Sequence, residues 1–119
     1  MRKAAIVITF FLVLMAFTAC IIGMKYCNYR AAVTEQALIR MLSDDAEEAI
    51  KEYYGERRQY MNDKLLSVKK VAGTPYYTAV LRVETFYGPH NPPYGIETMT
   101  FYISYGKVEL RGFEHQDDD

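Results

Sequence analysis

Hydrophobic positions fall into three regimes along the chain. Residues 4–24 are 21 consecutive positions without a charge, 18 of them apolar, with Arg2 and Lys3 in front. Wound as a helix at about 1.5 Å per residue they span roughly 31 Å, enough to cross the hydrocarbon core of a bilayer. From Ala31 the spacing becomes three or four: Leu38, Met41, Leu42, Ala46, Ala49, Ile50 and Tyr53 recur on one side, while Glu35, Arg40, Asp44, Glu47, Glu48 and Lys51 take the others. This predicts an amphipathic helix over 34–54 ended by Gly55, or a short helix followed by a longer one that starts at Ser43-Asp44-Asp45. After a polar connection, 56–63, the period drops to two. Residues 64–72 read as a strand, and Gly73-Thr74-Pro75 turns the chain. Tyr77, Ala79, Leu81 and Val83 alternate with Thr78, Val80, Arg82 and Glu84; Met99, Phe101, Ile103 and Tyr105 alternate with Thr98, Thr100, Tyr102 and Ser104. A tight turn at Tyr105-Gly106 leads to a last strand with Val108 and Leu110, a bulge at Gly112, and Phe113.

The expected fold class is α+β: an N-terminal membrane or signal helix, then one amphipathic helix packed on a four-stranded antiparallel meander sheet. The expected organisation is a signal peptide or transmembrane anchor at 1–24, a juxtamembrane linker at 25–32, a small α+β domain at 33–116 and a frayed acidic tail at 117–119.

The apolar leader allows three readings. It is long enough for a retained anchor, closed by Lys25 and Arg30; Thr18-Ala19-Cys20 or the stretch to Gly23 offers a weak cleavage site; and Phe17-Thr18-Ala19-Cys20 is a degenerate lipobox in which Cys20 would be acylated. In each, the membrane is a partner through residues 4–24, and the following domain ends outside the cytoplasmic membrane, anchored or secreted. Cys27 follows just after; no cysteine lies beyond it, so the domain holds no internal disulfide.

Composition adds two constraints. With 14 basic and 15 acidic side chains in 119 residues, the chain lacks the cationic surplus that phosphate backbones require, which argues against nucleic acid. All eleven tyrosines lie after the leader, where a large ring with a hydroxyl suits an adhesive surface.

Between the second and third strands runs Tyr87-Gly88-Pro89-His90-Asn91-Pro92-Pro93-Tyr94-Gly95. Three prolines and two glycines predict a stiff loop without regular structure, longer than a hairpin needs, and thus a candidate contact loop for a cell-wall polymer or an extracytoplasmic protein.

Ile50-Lys51-Glu52-Tyr53-Tyr54-Gly55, Leu66-Ser67-Val68-Lys69-Lys70, the run Val83 to Thr98 with its ETF-x-GPHNPPYG-x-ET string, and Phe113-Glu114-His115 resemble the successive motifs of a family of small exported proteins from Bacillus-type bacteria, known only as a domain of unknown function. The likeness spans 33–116 and implies export; it implies no activity, substrate or catalytic residue. The longer apolar leader departs from the family pattern.

Three functions fit these residues. The first is a non-catalytic extracytoplasmic binding or envelope-associated module that uses the loop from Tyr87 to Gly95 and needs no cofactor. The second is a small metal-dependent hydrolase with His90, His115 and Glu97 as ligands, since two imidazoles and a carboxylate suffice for zinc or iron. The third is a cystatin-like inhibitor, on architecture alone. Outside a metal site, His90 is expected to brace its loop through a ring hydrogen bond to the backbone. There is no nucleophile motif, glycine-rich phosphate loop or internal repeat.

Overall fold

In a computed structural model, which describes residues 1–118, the chain is one α-helix followed by four strands: α1 (Arg2–Tyr54), β1 (Gln59–Lys70), β2 (Tyr77–Tyr87), β3 (Asn91–Ser104) and β4 (Lys107–Asp118). It divides into two compact units, Met1–Gln36 and the remainder from Ala37.

The first unit is helical throughout. Its apolar side chains, among them Ile6, Phe10, Phe11, Leu12 and Ile22, are exposed, and the helix is long and apolar enough to cross a membrane. Residues 25–32, expected as a linker, are helical too, and Ser43-Asp44-Asp45 does not interrupt α1. Nothing in 25–45 forbids helix: the stretch has neither proline nor glycine, and the Ser43 hydroxyl is spent on the Arg40 carbonyl, 2.8 Å away, instead of capping a new start. Gly55 ends the helix in the left-handed conformation (φ 72°), its N–H donating to the Lys51 carbonyl at 2.9 Å.

In the second unit the sheet is an antiparallel meander, β1-β2-β3-β4. Its core joins Ile39, Leu42, Ala46, Ala49 and Ile50 of α1 with Ala79, Leu81 and Val83 of β2 and Met99 and Phe101 of β3. The buried stripe of α1 keeps Leu42, Ala46, Ala49 and Ile50 of the predicted one and differs at its margins: Ile39 and Tyr54 turn inward, while Met41 and Tyr53 stay exposed. Periodicity alone does not separate adjacent apolar positions on a helix; contact with the sheet does.

The loop expectation is corrected. Only Gly88, Pro89 and His90 form the turn, with left-handed backbone at Gly88 (φ 54°) and His90 (φ 59°), and β3 starts at Asn91. Tyr87 pairs with Asn91 and Thr85 with Gly95, so four residue steps on β3 oppose two on β2. Pro92 and Pro93, joined by a cis peptide bond, fall in this bulge and have no partner in the register. Prolines cannot donate to a ladder, and extended backbone accommodates them wherever no ladder donor is required. Strand β1 likewise begins five residues before the predicted 64, at Gln59. At the other end Asp117 and Asp118, expected in a frayed tail, pair with Gly95 and Tyr94; Asp119 lies outside the described residues. The predicted bulge is present at Arg111, since Thr100 pairs with Gly112 and Phe101 with Leu110.

Candidate functional site

Where β2 ends, β3 begins and β4 finishes, the core face changes from apolar to polar. Continuing each strand's alternation carries Val83 to Thr85, Met99 to Glu97 and Phe113 to His115, and one helical turn carries Ile50 to Tyr54. These four side chains meet. Glu97 is 0% exposed. Its Oε1 accepts hydrogen bonds from the Tyr54 hydroxyl and from Thr85 Oγ1, the latter at 2.9 Å. His115 Nδ1 lies 3.1 and 3.0 Å from the two carboxylate oxygens, and its Nε2 lies 3.0 Å from Asp117 Oδ1. A ring with a carboxylate at each nitrogen must carry a proton on both to satisfy them, so the network assigns His115 as the imidazolium.

Electrostatics agree with that assignment. Burial, the largest single influence on His115, disfavours its charge, yet the bonds and charges of Glu97 and Asp117 together outweigh it and raise its pKa above the usual 6.5. Burial and then the hydrogen bond to Glu97 push the Tyr54 phenol up to about 12, so it stays a donor. Gly95 seals the cluster from below: a Cβ there would lie 2.6 Å from Glu97 Oε1, 2.7 Å from the Tyr54 hydroxyl and 2.8 Å from Thr85 Oγ1. Tyr53 covers a side, stacked on Phe113 with centroids 4.8 Å apart and tilted against His115 at 5.2 Å.

Arg58 links this cluster to an open cleft. Its guanidinium lies 3.8 Å from the centre of the Tyr54 ring and 5.6 Å from that of Tyr87. The cleft, about 1090 Å³, is walled by Arg40, Ser43 and Glu47 of α1, by Arg57 and Arg58, by Gln59, Tyr60 and Asp63 of β1, and by Phe86 to His90 at the β2–β3 turn.

The predicted contact residues separate here. Tyr87, Gly88, Pro89 and His90 line the cleft; Asn91, Pro92 and Pro93 are exposed beyond it; Gly95 belongs to the buried cluster. Tyr94 is a support: its hydroxyl donates to the His90 carbonyl at 2.6 Å. The ring of His90 does not brace the turn by hydrogen bonding but stacks on Phe86, centroids 4.2 Å apart, while its backbone N–H donates to the Gly88 carbonyl. Of the proposed metal ligands, Glu97 and His115 come together and His90 stands elsewhere. Among the described residues no three His, Cys, Asp or Glu side chains are arranged to hold an ion. Cys20 and Cys27 are free and exposed on α1.

Residues 34–117 match the model of a protein family described as a protein of unknown function (DUF3888). The chain belongs to this family. Neither a curated protein nor a solved structure matches it. The DUF3888 region runs from the exposed part of α1 into β4, so every residue of the buried cluster and of the cleft lies inside it. Within the DUF3888 domain, Tyr54, Thr85 and Asp117 of the buried cluster and Arg58 of the cleft are residues that motif reasoning missed. The signal was present for two of them: Thr85 and Tyr54 stand one step beyond the last apolar position of a core face, as Glu97 and His115 do. Arg58 and Asp117 follow no period, and only the tertiary arrangement reveals them.

Proposed function

We propose that this protein is a non-catalytic binding module, held at a bacterial cell membrane by residues 4–24 with its DUF3888 domain on the outer side, and that it grips its partner in the cleft beside the β2–β3 turn. The observation that carries the reading is the contrast between the two polar sites. Every acidic, basic and hydroxyl group of the Glu97 cluster is satisfied within the protein, with Glu97 sealed, so the cluster is built to brace the fold. The cleft is open and walled by tyrosine, arginine and a turn with two left-handed residues. Large amphipathic rings on a stiff turn favour adhesion because little conformational freedom is lost on binding. A cell-wall polymer or an extracytoplasmic protein is the partner class that this location presents.

The test uses the full chain and isolated bacterial cell-wall material. Tyr87→Ala should release the protein, with the far-ultraviolet circular dichroism unchanged; Tyr94→Phe, which loses only the bond to His90, should weaken retention less. Retention unaffected by Tyr87→Ala overturns the reading. Mass spectrometry of protein extracted from membranes distinguishes an intact leader from a cut chain or an acylated Cys20.

A further inference from the structure

Arg58 is an arginine whose hydrogen-bonding capacity the protein leaves unspent. Its side chain is only 13% exposed, and among the described residues its Nε is buried without a partner and its one acceptor is Glu56 Oε1, at a long 3.5 Å from Nη2. An unmade bond to a buried donor costs about 1–3 kcal/mol, and Nε itself is closed to any ligand, so it is the outer Nη groups of Arg58 that the cleft can offer. Aromatic contact with Tyr54, and more distantly Tyr87, holds the guanidinium in place without consuming its N–H donors. Around it the cleft places Arg40 and Arg57 against two carboxylates, Glu47 and Asp63; Glu47 is taken by Arg57 at 2.8 Å. With Glu56 the local carboxylates number three against three arginines, but Arg58 is engaged only by that long 3.5 Å contact, which leaves a desolvated, preorganised fork at the cleft wall.

We infer that the cleft binds an oxyanion of its ligand, a carboxylate or a phosphate group, through the Arg58 guanidinium held over Tyr54 beside the β2–β3 turn. The inference rests on the binding reading above and deepens it by naming the ligand chemistry. Guanidinium matches both groups with two parallel N–H donors, and lysine in its place offers a point charge without that fork.

The experiment uses the full chain in uncharged maltoside micelles, labelled with ¹⁵N-arginine, and follows the Nε–H resonances, that of Arg58 being assigned by its loss in Arg58→Lys. Inorganic phosphate and acetate are titrated separately, with sodium chloride at matched ionic strength as the control. The Arg58 resonance should move saturably with one or both anions and not with chloride. A response to phosphate alone names a phosphate group, and one to acetate alone a carboxylate. In a parallel calorimetric titration with the responding anion, Arg58→Lys should bind about tenfold or more weakly, the worth of one charge-assisted pair. Arg40→Gln, which leaves Arg58 and its aromatic contacts intact, should weaken binding by less. No movement of the Arg58 resonance beyond the chloride control overturns the inference, as does undiminished affinity in Arg58→Lys. Continued dependence of wall retention on Tyr87 in that event leaves the binding module standing; loss of that dependence beside a clear anion response defeats the module and keeps the anion site.

Discussion

Glu97 illustrates how a single carboxylate can be sealed in a small core. Truncating it in Glu97→Ala strips His115, Tyr54 and Thr85 of their common acceptor and should cost about 3 kcal/mol, read from the denaturation midpoint. Glu97→Gln should cost less. Its amide oxygen still accepts from Tyr54 and Thr85, and its NH₂ donates to a His115 that has shed the Nδ1 proton while Nε2–H keeps Asp117. Wild type and Glu97→Gln differ in pH dependence. Because the folded state raises the His115 pKa, the stability it contributes is complete below 6.5 and is lost as pH climbs through the raised value. A folded pKa raised to about 12 at Tyr54 acts in the same direction, with its loss falling between 10.0 and about 12. The wild-type denaturation midpoint should therefore fall from weakly acidic to weakly basic pH, and Glu97→Gln should flatten that slope. A wild-type midpoint that rises over this range contradicts the assignment of His115 as imidazolium.

Among elements, β3 depends most on one small residue. Gly95→Ala would put a methyl group at 2.6–2.8 Å from three oxygens of the cluster, and since the shortest contact is to sealed Glu97, the strand or the cluster must shift. Overpacking of this kind should lower stability by about 2–3 kcal/mol, while Gly112→Ala, whose nearest contact is 3.5 Å, should be nearly silent; comparing the two midpoints checks this. In α1, Leu42→Ala opens a hole in the core and should cost about 3 kcal/mol, and exposed Met41→Ala next to it very little. The helix and the alternation of β2 and β3 were legible from apolar spacing because one face of each is buried. Strand β1 was shortened at its start because Arg58, Gln59, Asn62 and Asp63 look like a loop, whereas Asn62, with φ 54°, sits in a bulge and donates to Glu84 at 2.7 Å. Pro92 and Pro93 misled for the complementary reason. Their missing donors matter only where a ladder needs them, and register is a property of two strands.

At the scale of the molecule, the apolar leader and the α+β domain were both readable from the sequence, since 21 uncharged positions in a row and an alternating pattern are distinct signals. The site was readable only in fragments. Tyr54, Thr85, Glu97 and His115 are spread over 62 residues of sequence, and nothing local announces that they share one carboxylate. Placement of the domain outside the membrane is open to a direct check. With Cys20 and Cys27 replaced by serine, Asn91→Cys, exposed at the start of β3, should react with a membrane-impermeant maleimide in intact cells. Labelling only after lysis would put the domain on the cytoplasmic side.

The meander leaves β1 and β4 as the outer strands, and neither presents a straight ladder. Strand β1 is bent by register shifts at Met61/Lys64 and Leu65/Ser67 and carries Lys64, Lys69 and Lys70; β4 is bent at Arg111 and carries Lys107, Glu109 and Glu114. Bulges and charges at open edges deter a neighbouring copy from adding its own strand. Copies of this domain thus meet no straight edge to extend, and a concentrated population stays as separate molecules and not as a growing cross-strand aggregate.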